Sequence, residues 1–194
     1  MEDFFFYVKL GLQHVLDFSA YDHILFLAAL AIPFTFIKWN PVLVLATIFT
    51  FTHCLALGLS VYEVLVMDVA LVEFLIPVTI LLTALFNIIY QRSPDGKKSI
   101  LLHGIATAFF GLIHGFGFSN YFKMLMAGEE DKLMPLLAFA TGIEISQLII
   151  VLGILALAYV LQSVLRVKQP IFVVVGSLVV ILLTLPVLIA TFPT

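Results

Sequence analysis

Apolar runs of membrane-spanning length, parted by short polar breaks, constrain the fold of this chain more than any motif in it. A helix needs about 20 apolar residues to cross about 30 Å of hydrocarbon. Such runs are read over residues 20–37, 41–61, 66–90, 99–118, 133–162 and 170–192. With 63% hydrophobic and 11% charged residues and a mean hydropathy of +1.21, a soluble domain is excluded. The pattern predicts an all-α, polytopic membrane helix bundle forming one integral membrane domain over residues 1–194. About six transmembrane helices are expected. Residues 4–17 carry Phe4, Phe5, Phe6 and Tyr7 but are too short to cross, and are expected to form a short interfacial helix.

Several functions fall away at once. Nine Lys and Arg in a chain of net charge −3 offer no basic patch for nucleic acid. The single cysteine, Cys54, excludes an intrachain disulfide framework and a Cys-rich metal site. The N-terminus is acidic, with Glu2 and Asp3 and no signal-peptide pattern, so the first apolar stretch is expected to remain in the mature protein.

Lys38-Trp39-Asn40-Pro41 closes the first span with an interfacial anchor and a breaker, and Gln91 to Lys98 reads as a polar turn. Six spans put both termini on one side. Lys38, Arg92, Lys97, Lys98, Arg166 and Lys168 fall in the loops of the other side, against Lys9, Lys123 and Lys132 on the side of the termini. The positive-inside rule then places both termini outside.

The most polar stretch is Gly11-Leu-Gln-His14-Val-Leu-Asp17-Phe-Ser-Ala-Tyr-Asp22-His23-Ile-Leu-Phe26. On one unbroken helix His14 and Asp22 would stand about 80° apart, and His14 and His23 on opposite sides. Ser19-x-x-Asp22 has the form of a capping box, so a new helix is expected near Ala20. A break over residues 17–19 would let the group converge. His53, Glu73, His114 and Glu144 fall in the outer halves of later spans, at overlapping depth. Charges and imidazoles at that depth are costly unless they pair or hold a cation.

Imidazole with carboxylate suits zinc, nickel, iron and other first-row divalent ions, and the lack of thiolate argues against a soft-metal site. Asp22 serves as a helix cap or as an outer partner of a histidine, and Asp17, near the water interface, as a cap or partner more than a ligand. Gln147, one turn from Glu144, is a neighbour or a secondary contact. His103 returns to nearly the same face of its helix as His114, about 16 Å deeper, as an inner relay or an interfacial residue. Asn87 is the other polar group of the inner half.

These residues resemble a known family. His14 with Asp22-His23-Ile-Leu-Phe26, then Phe51-Thr52-His53, Phe110-Gly-Leu-Ile-His114-Gly-Phe-Gly-Phe118 and Gly142-Ile-Glu144-Ile-Ser-Gln147, are similar to the ordered motifs of the HupE/UreJ family of small bacterial membrane proteins. The spacing from His14 to Asp22 is longer than in the family's first motif, and Thr141 stands where the family commonly has Asn. The resemblance implies a nickel permease of the bacterial inner membrane. It also implies that His14, Asp22, His23, His53, His114 and Glu144 handle the metal, with nickel as the ion, while the donor types leave zinc beside it.

Two further readings stand beside transport. In one the chain is a metal-dependent membrane hydrolase acting on a lipid-like or membrane-peptide substrate, with Glu73 or Glu144 as general base. In the other it is a membrane subunit with a structural metal whose partner carries the activity. Beyond the lipid bilayer and a divalent ion, the sequence names no protein partner or oligomeric state.

Overall fold

In a computed structural model, residues 2–91 and 100–193 are described. The polar turn expected over residues 91–98, with Arg92, Lys97 and Lys98, lies outside them apart from Gln91. Seven α-helices and no strand are found among the described residues: α1 (Glu2–Val15), α2 (Asp22–Ala31), α3 (Asn40–Val61), α4 (Val69–Gln91), α5 (Ile100–Leu125), α6 (Leu133–Tyr159) and α7 (Gln169–Ala190). Pro41 and Pro170 sit in the first turns of α3 and α7, where a missing N–H is harmless. The all-α membrane bundle expected from the apolar runs is thus the fold observed.

Among the described residues, four helical segments are long and apolar enough to cross a membrane: Asn40–Val61, Val69–Ile89, Leu133–Val164 and Gln169–Ala190. At 26 residues α5 also has the length to cross. The stretch expected as a span over 20–37 holds only the ten residues of α2, about 15 Å of helix. Six single-helix spans are therefore not confirmed among the described residues.

Pro33 explains the early end of α2. It has no N–H to give the Ala29 carbonyl, and the side-chain amide of Asn87 on α4 donates to that carbonyl instead, at 2.7 Å. The Pro33 carbonyl in turn accepts from Gln169 Nε2 of α7 at 3.2 Å.

The other end of α2 also differs from the capping box expected there. Tyr21 is the N-cap and gives no side-chain hydrogen bond. The Asp17 carboxylate instead accepts the Ser19 N–H at 2.7 Å, closing a turn between α1 and α2, and Asp22 opens α2 by accepting the His23 N–H at 2.9 Å. The break itself falls where the motif geometry required it.

The expected short N-terminal helix is α1, and it packs lengthwise along α6. Ser146 Oγ donates to the Leu12 carbonyl at 3.2 Å, and Tyr7 donates to Glu129 at 2.9 Å. A Cβ on Gly11 would run into the Phe139 carbonyl, and one on Gly142 into the Val8 carbonyl. Two glycines facing each other therefore bring these backbones together. The contacts run in the same order along both chains, so α1 and α6 are parallel. Pairs His23 with His53 and Phe26 with Phe49 show α2 antiparallel to α3, so α1 and α2 point the same way on either side of their break.

Candidate metal centre

Four imidazoles from four helices meet at this break. His14 ends α1, His23 begins α2, His53 lies on α3 and His114 on α5. The His14–His23 ring centroids are 4.6 Å apart, His23–His114 5.3 Å, His14–His53 5.6 Å and His23–His53 5.7 Å. Ligand atoms of His14, His23 and His53 all lie within 4.8 Å of one another. Nitrogens bound at about 2.1 Å to one ion stand about 3.0 to 4.2 Å apart, so small ring rotations close the set on a cation.

What these rings lack is a protein partner on one side. The Nε2 atoms of His14, His23 and His114, and both ring nitrogens of His53, are buried without a hydrogen bond. Such groups are costly to bury unpaired, and four in one place point to a ligand. Two of the rings are also held from behind. His23 Nδ1 faces Asp22 Oδ1 at 3.2 Å, and His114 Nδ1 faces the Phe110 carbonyl at 2.9 Å. A proton on Nδ1 in each case leaves the Nε2 lone pair for an ion, the arrangement metal-ligating histidines usually show. The donor set is nitrogen with no thiolate, and it fits zinc or nickel.

Glycine sets the spacing between two of the ligand helices. Along α5, Gly111 and Gly115 lie against α3 so tightly that a Cβ at Gly115 would meet the His53 carbonyl, and one at Gly111 the Phe49 carbonyl at 2.8 Å. These small residues let the two backbones approach, and so bring His114 to His53. Phe118 covers His14, with ring centroids 3.9 Å apart, and Phe139 lies 5.7 Å from the same ring.

The remaining candidates are spread more widely. Glu144 accepts from Thr47 Oγ1 and Thr50 Oγ1, each at 2.6 Å, in a groove between α3 and α6 that also contains Cys54 and none of the histidines. Glu73 is exposed on α4. Asp17 is exposed and lines a recess of about 280 Å³ with Gln13, His14 and Tyr121, a way in from the surface to the first imidazole. Gln147 is fully buried, and neither its amide nitrogen nor its oxygen has a hydrogen-bond partner. His103 packs edge-on to Phe86, at 5.3 Å, beside a separate cavity.

Sequence reasoning passed over the phenylalanines around the imidazoles and the facing pair Gly11 and Gly142. The first left a trace, since a Phe stands one turn from each of His23, His53 and His114. The second did not, because the partners are 131 positions apart.

The fold and the site define an integral, polytopic α-helical membrane protein with a buried histidine cluster. Residues 1–190 match the HupE / UreJ protein family, and the chain belongs to it. No curated protein and no solved structure matches the chain.

Proposed function

We propose that this chain is a divalent-cation permease, of nickel type, whose substrate ion is held by His14, His23, His53 and His114. The observation that carries the reading is the cluster of buried imidazole nitrogens without hydrogen-bond partners, with one ligand atom from each of His14, His23 and His53 within 4.8 Å of the others. Asp22 supports His23 from behind and offsets part of the ion's charge. Membership of the HupE/UreJ family supports transport, and the donor set supports nickel or zinc.

In this reading the chain is one membrane domain of the bacterial inner membrane with both termini outside. Helices α1 and α2 form a single discontinuous crossing, and the ion binds at the discontinuity. Broken helices at a central site are a recurring device of transporters, because the freed chain ends can serve the ion and can move. Ions would enter by the Asp17 recess and exchange water for imidazole.

A hydrolytic reading asks for a carboxylate beside the ion to act on water. Glu73 is exposed and Glu144 is taken up by two threonine hydroxyls in another groove, so neither candidate base supports it. The test is nickel uptake by proteoliposomes holding the purified protein, beside a His23→Ala and His114→Ala double variant. Saturable uptake that the double variant lacks is expected. Uptake equal to that of empty liposomes would overturn the reading.

A further inference from the structure

Glu144 is an ionisable side chain that the metal centre leaves unused. It stands 11 residues into α6, about 16 Å from the start of that helix. Thr50, which it meets, is ten residues from one end of α3 and 11 from the other. Against hydrocarbon about 30 Å thick, the carboxyl is near the middle of the membrane. Its groove, of about 640 Å³, has outward-facing Phe51, Leu55, Leu137 and Ile145 on its walls.

The groove offers this carboxyl no cation. Among the described residues that line it there is no lysine, arginine or histidine, and Cys54 of α3 is the other titratable group. Gly142 and Ser146, which meet α1, stand about 200° around α6 from Glu144, so Lys9 and His14 of α1 are behind the helix. Asp22 and His23 of α2 and His53 of α3 do not line the groove.

Two threonines serve the carboxyl in both of its forms. Thr47 Oγ1 is 2.6 Å from Oε1, and Thr50 Oγ1 is 2.6 Å from Oε2. A hydroxyl has one proton to give and lone pairs with which to accept. With Glu144 ionised, both threonines donate to it. With a proton on Oε2, Glu144 donates to Thr50 Oγ1, and Thr50 turns its own proton to the Ala46 carbonyl, 3.3 Å away. Thr47 donates to Oε1 throughout. A proton can therefore enter and leave while every partner is kept, at the cost of one hydroxyl rotation.

We propose that Glu144 is a proton-binding site, separate from the imidazoles and open to the membrane-facing groove. The inference stands independently of the permease reading. Oxygens 2.6 Å apart share a hydrogen, whereas oxygens of separate groups held at about 2.1 Å by one metal ion stand about 3 Å apart. The contact thus fits a proton and not a metal cation. It also ties α3, which carries His53, to α6, which grips α1. Hydrogen bonds to a charged acceptor are about twice as strong as neutral ones, so proton uptake loosens that tie.

The experiment treats the full chain in membrane vesicles with dicyclohexylcarbodiimide, an apolar reagent that attacks un-ionised carboxyl groups. The carboxyl oxygen bonds to the central carbon of the reagent as its proton passes to one nitrogen. The acyl group then moves to the other nitrogen, leaving a stable acylurea from which nothing is lost. Mass spectrometry should find the adduct on Glu144, with a yield that tracks the un-ionised fraction and falls at least about tenfold as the buffer is made alkaline. Infrared spectra should show an un-ionised carboxyl band that declines in alkali and is lost in Glu144→Gln, whose helical circular dichroism reports an intact fold. No adduct on Glu144 together with no band lost in Glu144→Gln would overturn the inference, as would an adduct formed equally in acid and alkali. Neither readout involves nickel, so failure of the permease reading leaves this one standing.

Discussion

Asn87 donates its side-chain amide to the Ala29 carbonyl at 2.7 Å, in the place of the backbone N–H that Pro33 cannot supply. A residue on α4 thus ends α2, 58 positions earlier in the chain. Asn87→Ala should cost about 1 to 3 kcal/mol by leaving that carbonyl buried and unpaired. In a Pro33→Ala background the restored N–H can reach Ala29, so the same change should cost much less. Thermal unfolding of the four proteins in detergent measures the difference, and equal penalties in both backgrounds would refute the account.

The imidazoles and the carboxylates should separate cleanly in metal binding. His53→Ala removes a ring with both nitrogens directed at no protein group, and nickel affinity should fall about 100-fold or more. Asp22→Asn keeps the site but weakens the support of His23, for a loss of about 10- to 100-fold. Glu144→Gln should leave affinity unchanged, since Glu144 binds Thr47 and Thr50. Titration calorimetry on the purified variants gives the ranking, and a Glu144 effect as large as that of His53 would return it to the ligand set.

Close packing between α3 and α5 should be felt at Gly115. A methyl group there meets the His53 carbonyl, so Gly115→Ala should destabilise the protein by about 1 to 3 kcal/mol and also weaken metal binding by displacing His114. Gly128→Ala has open space around its Cβ and is the control. Unfolding midpoints together with nickel affinities test both effects.

Acid should empty the site. Protons and the ion compete for the same Nε2 lone pairs, and free imidazole titrates near about pH 6.5. Affinity should therefore fall in acid, by more than about tenfold per pH unit once the pH is low enough to protonate two or more of the imidazoles that share the ion. Equilibrium dialysis from pH 8 into the acid range, as far as the fold survives, reads this directly. A loss of only one proton's slope would mean that a single imidazole binds.

Much of this protein could be read from local pattern. The apolar runs that became α3, α4, α6 and α7 were legible because hydrocarbon demands a continuous apolar length, and composition alone reports it. His14, His23, His53 and His114 were legible because an imidazole beside an apolar run is costly without a purpose. The break between α1 and α2 was legible from the angle that continuous helix geometry would have forced on His14 and His23.

Other features depended on which helices became neighbours. Glu144 looked like a ligand by depth, yet depth does not say which way a side chain turns, and two threonines of α3 hold it in a different groove. The first apolar run looked long enough to cross, but a carbonyl left open by Pro33 found its donor on α4. The sequence by itself determined an all-α membrane bundle rich in buried imidazole, since burial cost and helical period act along the chain. Only the tertiary structure decided that four rings gather at one break, that phenylalanines lie beneath them, and that glycines of α5 bring α3 close, because these follow from contacts between distant segments.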